Sequence, residues 1–273
     1  LKTDFTYLKN NGYTVIPLKK LTELILKNQE IPNKSVVLTI DDNYKSFYQN
    51  GLPIFKEFNY PFTLFVYTQA TQDSYGDFMT WDALKETSKY GELGLHSHTH
   101  AHLTTLTNEV IKKDTNKSLH LFQKALGFKP NSYVYPFGEF DQKVFNVIQS
   151  FGFNTICNQN RGAIDNRSDV LNLDRIAIGE DTSVKSVLRI KPLHVIWKPL
   201  KREVKNGILH TINAKIEHFK AKTIELYLTG YGWQTITVKN GIISHKLNLP
   251  LKRSRNRLLL KYGNQQSTQL IMR

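Results

Sequence analysis

One cysteine, Cys157, is all that the 273 residues contain, so no disulfide can form within the chain and no cysteine-based zinc site is available. A lone thiol leaves the compartment open. No apolar run approaches the ~18 residues of a spanning helix, which predicts no transmembrane segment. Internal repeats and low-complexity tracts are also missing, so nothing suggests a solenoid or a polar tail. Acid is the scarce charge: 23 Asp and Glu stand against 37 Lys and Arg, for a net charge of +14. Such a chain attracts nucleic acid, acidic lipid headgroups or acidic cell-wall polymers, unless the bases only solubilise the surface. The chain opens on Leu1, without Met, a basic n-region or an apolar h-region. That reads as a trimmed N-terminus, left by a processed export signal or by a chosen boundary.

Up to about residue 190, short apolar runs alternate with helical patterns. SVVLTI (Ser35–Ile40), TLFVYT (Thr63–Thr68), GELGLHS and SYVYPFG (Ser132–Gly138) read as strands. KSFYQNGLPIFKEF, WDALKETSKY, NEVIKKDTNKSLHLFQKAL and QKVFNVIQSFG read as helices, the last two stopped by Gly127 and Gly152. This alternation predicts parallel strands with crossover helices, hence an α/β sheet or barrel. From about residue 205 the texture changes to short alternating segments: ILHTINAKI, TIELYLTG, WQTITVKNG, IISHKLNLPL, RLLLKYG and TQLIMR. These predict a small antiparallel β-sandwich. The expected division is 1–198 and 205–273, linked around Trp197–Gly207. The basic run KRSRNR (Lys252–Arg257) is expected to be a hairpin connection.

Four of the nine histidines stand at every second position in GLHSHTHAHL: His96, His98, His100 and His102. In a continuous strand they would crowd one face. If the strand ends near His96 and the chain turns, His96 and His100 can approach one metal ion. Their i, i+4 spacing is that of H-E-x-x-H, but Ser97 stands where the glutamate would be. His98 with His102 keeps the same spacing and is an alternative register. Two histidines and a carboxylate make a common facial set for a divalent cation, and Asp41 and Asp42, directly after SVVLTI, are the carboxylate source. One of the two can bind metal while the other remains free as a base. Alone, an Asp–Asp pair is an ordinary turn or helix cap, and a histidine run an adventitious metal binder. Set together at strand ends of an α/β fold, they point to a site.

The ordered segments LTIDDNYKSFY…LPIFKEFNYPFTLFV, LGLHSHTHAHL and YVYPFGEF resemble the polysaccharide deacetylases of the NodB-homology type, carbohydrate esterase family 4. The resemblance runs from about Tyr7 to about Ser183 and implies a distorted or incomplete (β/α) barrel. It implies Asp41 as catalytic base, Asp42, His96 and His100 as ligands of one divalent metal ion, zinc being expected, and the Phe137 backbone N–H in the oxyanion hole. Ser97 and Thr99 are expected to brace the loop.

Three features depart from the family pattern. Asn43 replaces the usual Gly after the aspartates, and Val134 stands where many members have an arginine that orients the base, leaving Arg161 or Arg175 as substitutes. The late histidine that protonates the leaving amine has no clear counterpart, and His194 in KPLHVIW is a weak candidate. Amide cleavage needs that proton more than ester cleavage does, so N- and O-deacetylation both stay open.

The implied function is metal-dependent removal of acetyl groups from a polysaccharide. YPFG leans towards the poly-N-acetylglucosamine exopolysaccharide type, with peptidoglycan a serious option. The expected place is periplasmic or extracellular, at a bacterial surface, with the β-rich tail binding glycan, an envelope protein or only the barrel. A glycan-binding protein on a catalytically weakened scaffold is the alternative. Specific nucleic-acid binding rests on charge alone and is not expected.

Overall fold

Strands rich in branched and aromatic residues form the centre of the first half of the chain. In the computed structural model, which describes residues 1–198 and 204–273, β1 (Thr14–Val15) and β2 (Ser35–Val36) pair in parallel as a small separate sheet. The main sheet has the order β3 (Thr39–Ile40), β4 (Thr63–Val66), β5 (Glu92–Leu95), β6 (Ser132–Val134), β7 (Thr155–Cys157), and every neighbouring pair is parallel. All residues of β4, β6 and β7 are buried, as in sheets covered by crossover helices. The sheet is open, with β3 and β7 at its edges, which makes an incomplete barrel.

The run Ser35–Ile40 is not one strand. Its first two residues pair with β1 and its last two with β4, so it breaks at 37–38 to serve two sheets. The helical stretch after Asp42 also differs from a plain α-helix: a π-helical turn, Phe47–Gly51, leads into the α-helix Leu52–Phe58. Gly51 permits this, because a Cβ there would stand 2.7 Å from the Phe47 ring. The other helices end where their caps dictate. Thr107 caps Asn108–Leu126, which Gly127 closes at φ 83°, and Asp141 caps Gln142–Gln149.

The chain divides into two compact units, Leu1–Asn158 with Asp165–Leu173, and Gln159–Ile164 with Asp174–Arg273. In the second unit, β8 (Lys191–Pro192), β9 (Val195–Trp197), β10 (Val204–Lys205), β11 (Ile208–Ile216), β12 (Thr223–Leu228), β13 (Gly232–Thr237), β14 (Ile242–Pro250), β15 (Arg255–Tyr262) and β16 (Gln265–Met272) form two sheets. One runs β10-β11-β14 with β9 also on β11, and the other β13-β12-β15-β16-β8. Leu209, Ile212, Leu226, Leu228, Ile243, Leu258 and Leu260 are among the buried residues of its core. All six segments read as strands after residue 205 are strands. Residues 174–198, read from the sequence as the end of the first domain, here belong to this unit, because β8 pairs with β16 and β9 with β11. The expected link at Trp197–Gly207 falls partly on 199–203, outside the described residues. Lys252–Arg257 is not a hairpin: β14 and β15 lie in different sheets, so it crosses between them, and Arg255–Arg257 open β15 itself.

Candidate metal centre

Three strands of the main sheet deliver their C-terminal ends to one place. After β3 the backbone turns sharply, with Asp42 at φ 71° and Asn43 at φ 42°. Asparagine tolerates this left-handed region better than most residues. Its buried amide also ties the turn down: Nδ2 donates to Thr71 Oγ1 (3.0 Å), and Oδ1 accepts from the Tyr67 N–H (2.7 Å). Asn43 therefore supplies both the backbone freedom of the glycine it replaces and a brace.

After β5 the histidine segment turns in the same way, with Ser97 at φ 63° and His100 at φ 52°. The His100 N–H donates to Ser97 Oγ (2.9 Å). Asp114, buried on the helix Asn108–Leu126, accepts from the His98 N–H (2.9 Å), the Thr99 N–H (2.9 Å) and Thr99 Oγ1 (2.7 Å). This aspartate escaped sequence reasoning. The available signal was polar residues, Asp114, Thr115 and Ser118, on a helix face that Ile111, Phe122 and Leu126 mark as buried.

The alternation of the histidines is thereby resolved into separate duties. His96 Nε2 and His100 Nε2 lie 3.2 Å apart and 3.3 and 3.1 Å from Asp42 Oδ1. Among the described residues, these three form the one group with metal-ligating geometry. Buried His98 instead places Nδ1 3.1 Å from Thr68 Oγ1, and His102 places Nδ1 2.7 Å from Oε2 of buried Glu139. The alternative register of His98 with His102 does not assemble.

Whether the trio fits a cation can be judged from its protons. His96 Nδ1 lies 2.9 Å from the Val134 carbonyl, which can only accept, so Nδ1 carries the hydrogen and Nε2 of the neutral ring carries a lone pair. That lone pair faces Asp42 Oδ1, a buried oxygen with no hydrogen-bond partner. Burial pushes the Asp42 carboxyl up, but His100 and His96 outweigh it and hold the group far below the usual carboxylate range. A cation placed among these atoms relieves the crowding of the carboxylate and imidazole lone pairs. The donor set therefore fits a divalent metal ion.

Asp41, half-buried, precedes Asp42 in the same turn. Phe137 sits at φ 58° after β6, its ring 4.5 Å from that of His100 and stacked on His102 at 4.2 Å. On the other side of His100 lies Tyr67 (5.3 Å), which meets Phe78 (5.6 Å). Phe78 stacks on Tyr44 at 4.6 Å, and Tyr44 is 44% exposed. A series of rings thus leads from solvent to the trio and out again through Phe137 to His102. Arg161, Arg175 and His194 belong to the second unit; the Arg161 carbonyl accepts from Thr268 Oγ1 (2.7 Å) and that of His194 from the Glu217 N–H (3.0 Å).

Comparison with known proteins gives consistent matches. A family profile described as polysaccharide deacetylase matches residues 28–156. A poly-beta-1,6-N-acetyl-D-glucosamine N-deacetylase of Escherichia coli K12 is 25% identical over 227 residues, covering 68% of this chain and 34% of its own length. One of Staphylococcus aureus is 24% identical, covering 71% of each. The chain therefore spans about a third of the Escherichia coli relative. Among solved structures, a Streptococcus pyogenes deacetylase, PplD, determined with acetate, superposes with a TM-score of 0.64 at 22% identity over 69% of this chain and 84% of that one. That likeness establishes the fold of the parallel sheet.

Proposed function

We propose that this chain, whose residues 28–156 match the polysaccharide deacetylase family, is a metal-dependent hydrolase removing acetyl groups from an extracellular polysaccharide. The observation that carries the reading is the trio of Asp42, His96 and His100, whose lone pairs converge within 3.3 Å of one another. The relatives named for poly-N-acetylglucosamine support N-acetylglucosamine units as substrate and a place of action outside the cytoplasm. The ring faces of Tyr44 and Phe78 are suited to the apolar face of a pyranose.

Asp42, His96 and His100 would hold the ion, zinc by the chemistry of two imidazoles and a carboxylate. When bound, such an ion supplies Lewis acidity to the acetyl carbonyl and lowers the pKa of water. Asp41 takes the proton from the attacking water. The Phe137 backbone N–H donates to the carbonyl oxygen as negative charge gathers on it. Asp114 and Asn43 keep the two ligand loops in place, and the Val134 carbonyl fixes the His96 tautomer.

Acetate release from N-acetylglucosamine oligomers and from an aryl acetate, with metal-loaded, chelated and Asp41→Asn protein, tests the reading. Release should need metal and fall about a thousandfold in Asp41→Asn. No release from either substrate by protein with stoichiometric metal would replace the enzyme with a glycan-binding protein on the same scaffold.

A further inference from the structure

The charge of this protein is not shared between its units. Of 37 Lys and Arg, 17 fall in the first unit and 20 in the second; of 23 Asp and Glu, 17 fall in the first and 6 in the second. The first unit is thus neutral, and the whole +14 belongs to the second. Bases outnumber acids in the second unit by 20 to 6. A coat that merely kept the chain soluble would have no reason to spare one unit.

Within the second unit, several of these bases are gathered by the fold. Three loops and the C-terminus meet at one end of the sandwich. The Leu251 N–H donates to the Gly207 carbonyl (2.7 Å), Lys252 Nζ to the Gly230 carbonyl (2.9 Å), and the Arg273 N–H to the Ser254 carbonyl (2.8 Å). Lys252 Nζ also lies 4.1 Å from the centre of the Tyr231 ring. The segments that meet, 206–207, 229–232, 251–255 and 273, carry Lys252, Arg253, Arg255 and Arg273 and no acidic residue. Beside them on β15, burial pushes Arg257 down, Arg255 and Arg161 add like charge, and its buried Nε has no hydrogen-bond partner among the described residues.

We propose that this basic end of the second unit binds a phosphodiester-linked anionic polymer of the cell surface, of the polyol-phosphate kind. Guanidinium groups pair with phosphate in a fixed fork, and a polymer presents phosphates to several bases at once. A lipid bilayer fits less well. Docking on a membrane needs several apolar side chains that project from the tips, whereas Leu251 is buried, Tyr231 is covered by Lys252, and the exposed ring beside them, Trp233, lies under Lys261 Nζ at 5.3 Å. Duplex DNA would be read through a helix or ribbon in a groove, and these tips offer neither. The binding is separate from any hydrolysis and needs no acetylated substrate.

The full chain is titrated with poly(glycerol phosphate) across a salt series, with dextran as the neutral control. Phosphatidylglycerol vesicles and duplex DNA are compared at equal phosphate. Wild type should bind the polymer and not dextran, with affinity falling steeply as salt rises. Lys252→Glu/Arg253→Glu/Arg255→Glu should lose about tenfold or more in affinity and flatten the salt slope. Lys20→Glu/Lys113→Glu/Lys124→Glu makes the same charge change in the first unit and should lose less than about twofold. If the first triple variant fails to fold, Arg253→Glu alone, at an exposed position, should cost about threefold. Absence of polymer binding, equal loss in both triples, or tighter binding to vesicles or DNA would each overturn the proposal.

Discussion

At the scale of single residues, the Val134 carbonyl decides more than the Val134 side chain, because it sets which nitrogen of His96 faces Asp42. Asp42→Asn or His96→Ala should lower metal affinity at least about a hundredfold, measured by calorimetry on apoprotein. Tyr44→Ala should raise KM for N-acetylglucosamine oligomers about fivefold with little change in kcat, since it removes an exposed ring and no ligand. Glu92, at the start of β5, offers a pH test away from the site. Burial raises its carboxyl above the usual range, against partial offsets from the Lys19 N–H and Thr63. The folded state therefore binds this proton more tightly than the unfolded chain, and stability falls as pH rises from about 4.5 through the raised folded pKa. In Glu92→Gln, denaturant midpoints should lose that fall. The trio of Asp42, His96 and His100 was legible because an Asp–Asp pair and a dense histidine run are unusual in a chain with nine histidines. Asp114 and Glu139 were not, because one acid in a charged helix or after a Pro–Gly turn looks like a surface residue until the fold buries it.

Among secondary-structure elements, the helix Asn108–Leu126 is a support for the histidine loop as much as a cover for the sheet. Asp114→Ala removes the acceptor of three hydrogen bonds and strands two backbone N–H groups, at a cost of about 3 kcal/mol. Thermal melting should show that loss, and metal affinity should fall with it, whereas exposed Lys113→Ala should change neither. Caps and periodicity located the helices well, since these signals are local. Strand limits were harder: Ser35–Ile40 satisfies every local criterion for one strand, and only the positions of β1 and β4 divide it. The same holds for Lys252–Arg257, since a hairpin and a crossover between sheets look alike along the chain.

For the molecule as a whole, metal binding and stability should be linked. At a free cation concentration of 100 times Kd, the native state gains about 2.7 kcal/mol, so the melting midpoint should rise on adding metal, and in Asp42→Asn the same concentration should add less than about 0.5 kcal/mol. No helix of the described residues is long and apolar enough to cross a membrane. The alternation of strand and helix, the antiparallel texture after residue 205, the net charge and the ordered Asp–Asp, histidine and Pro–Gly segments were determined by the sequence itself, because periodicity, turn chemistry and charge are properties of neighbours along the chain. That His96 and His100 face Asp42 was implied by the resemblance of the motifs; tertiary structure alone decided that Asp114 holds their loop, that residues 174–198 join the sandwich, and that Lys252, Arg253, Arg255 and Arg273 share one end of it. Each of these depends on contacts between residues distant in sequence, which positive-φ turns and strand pairing bring together and no local pattern encodes.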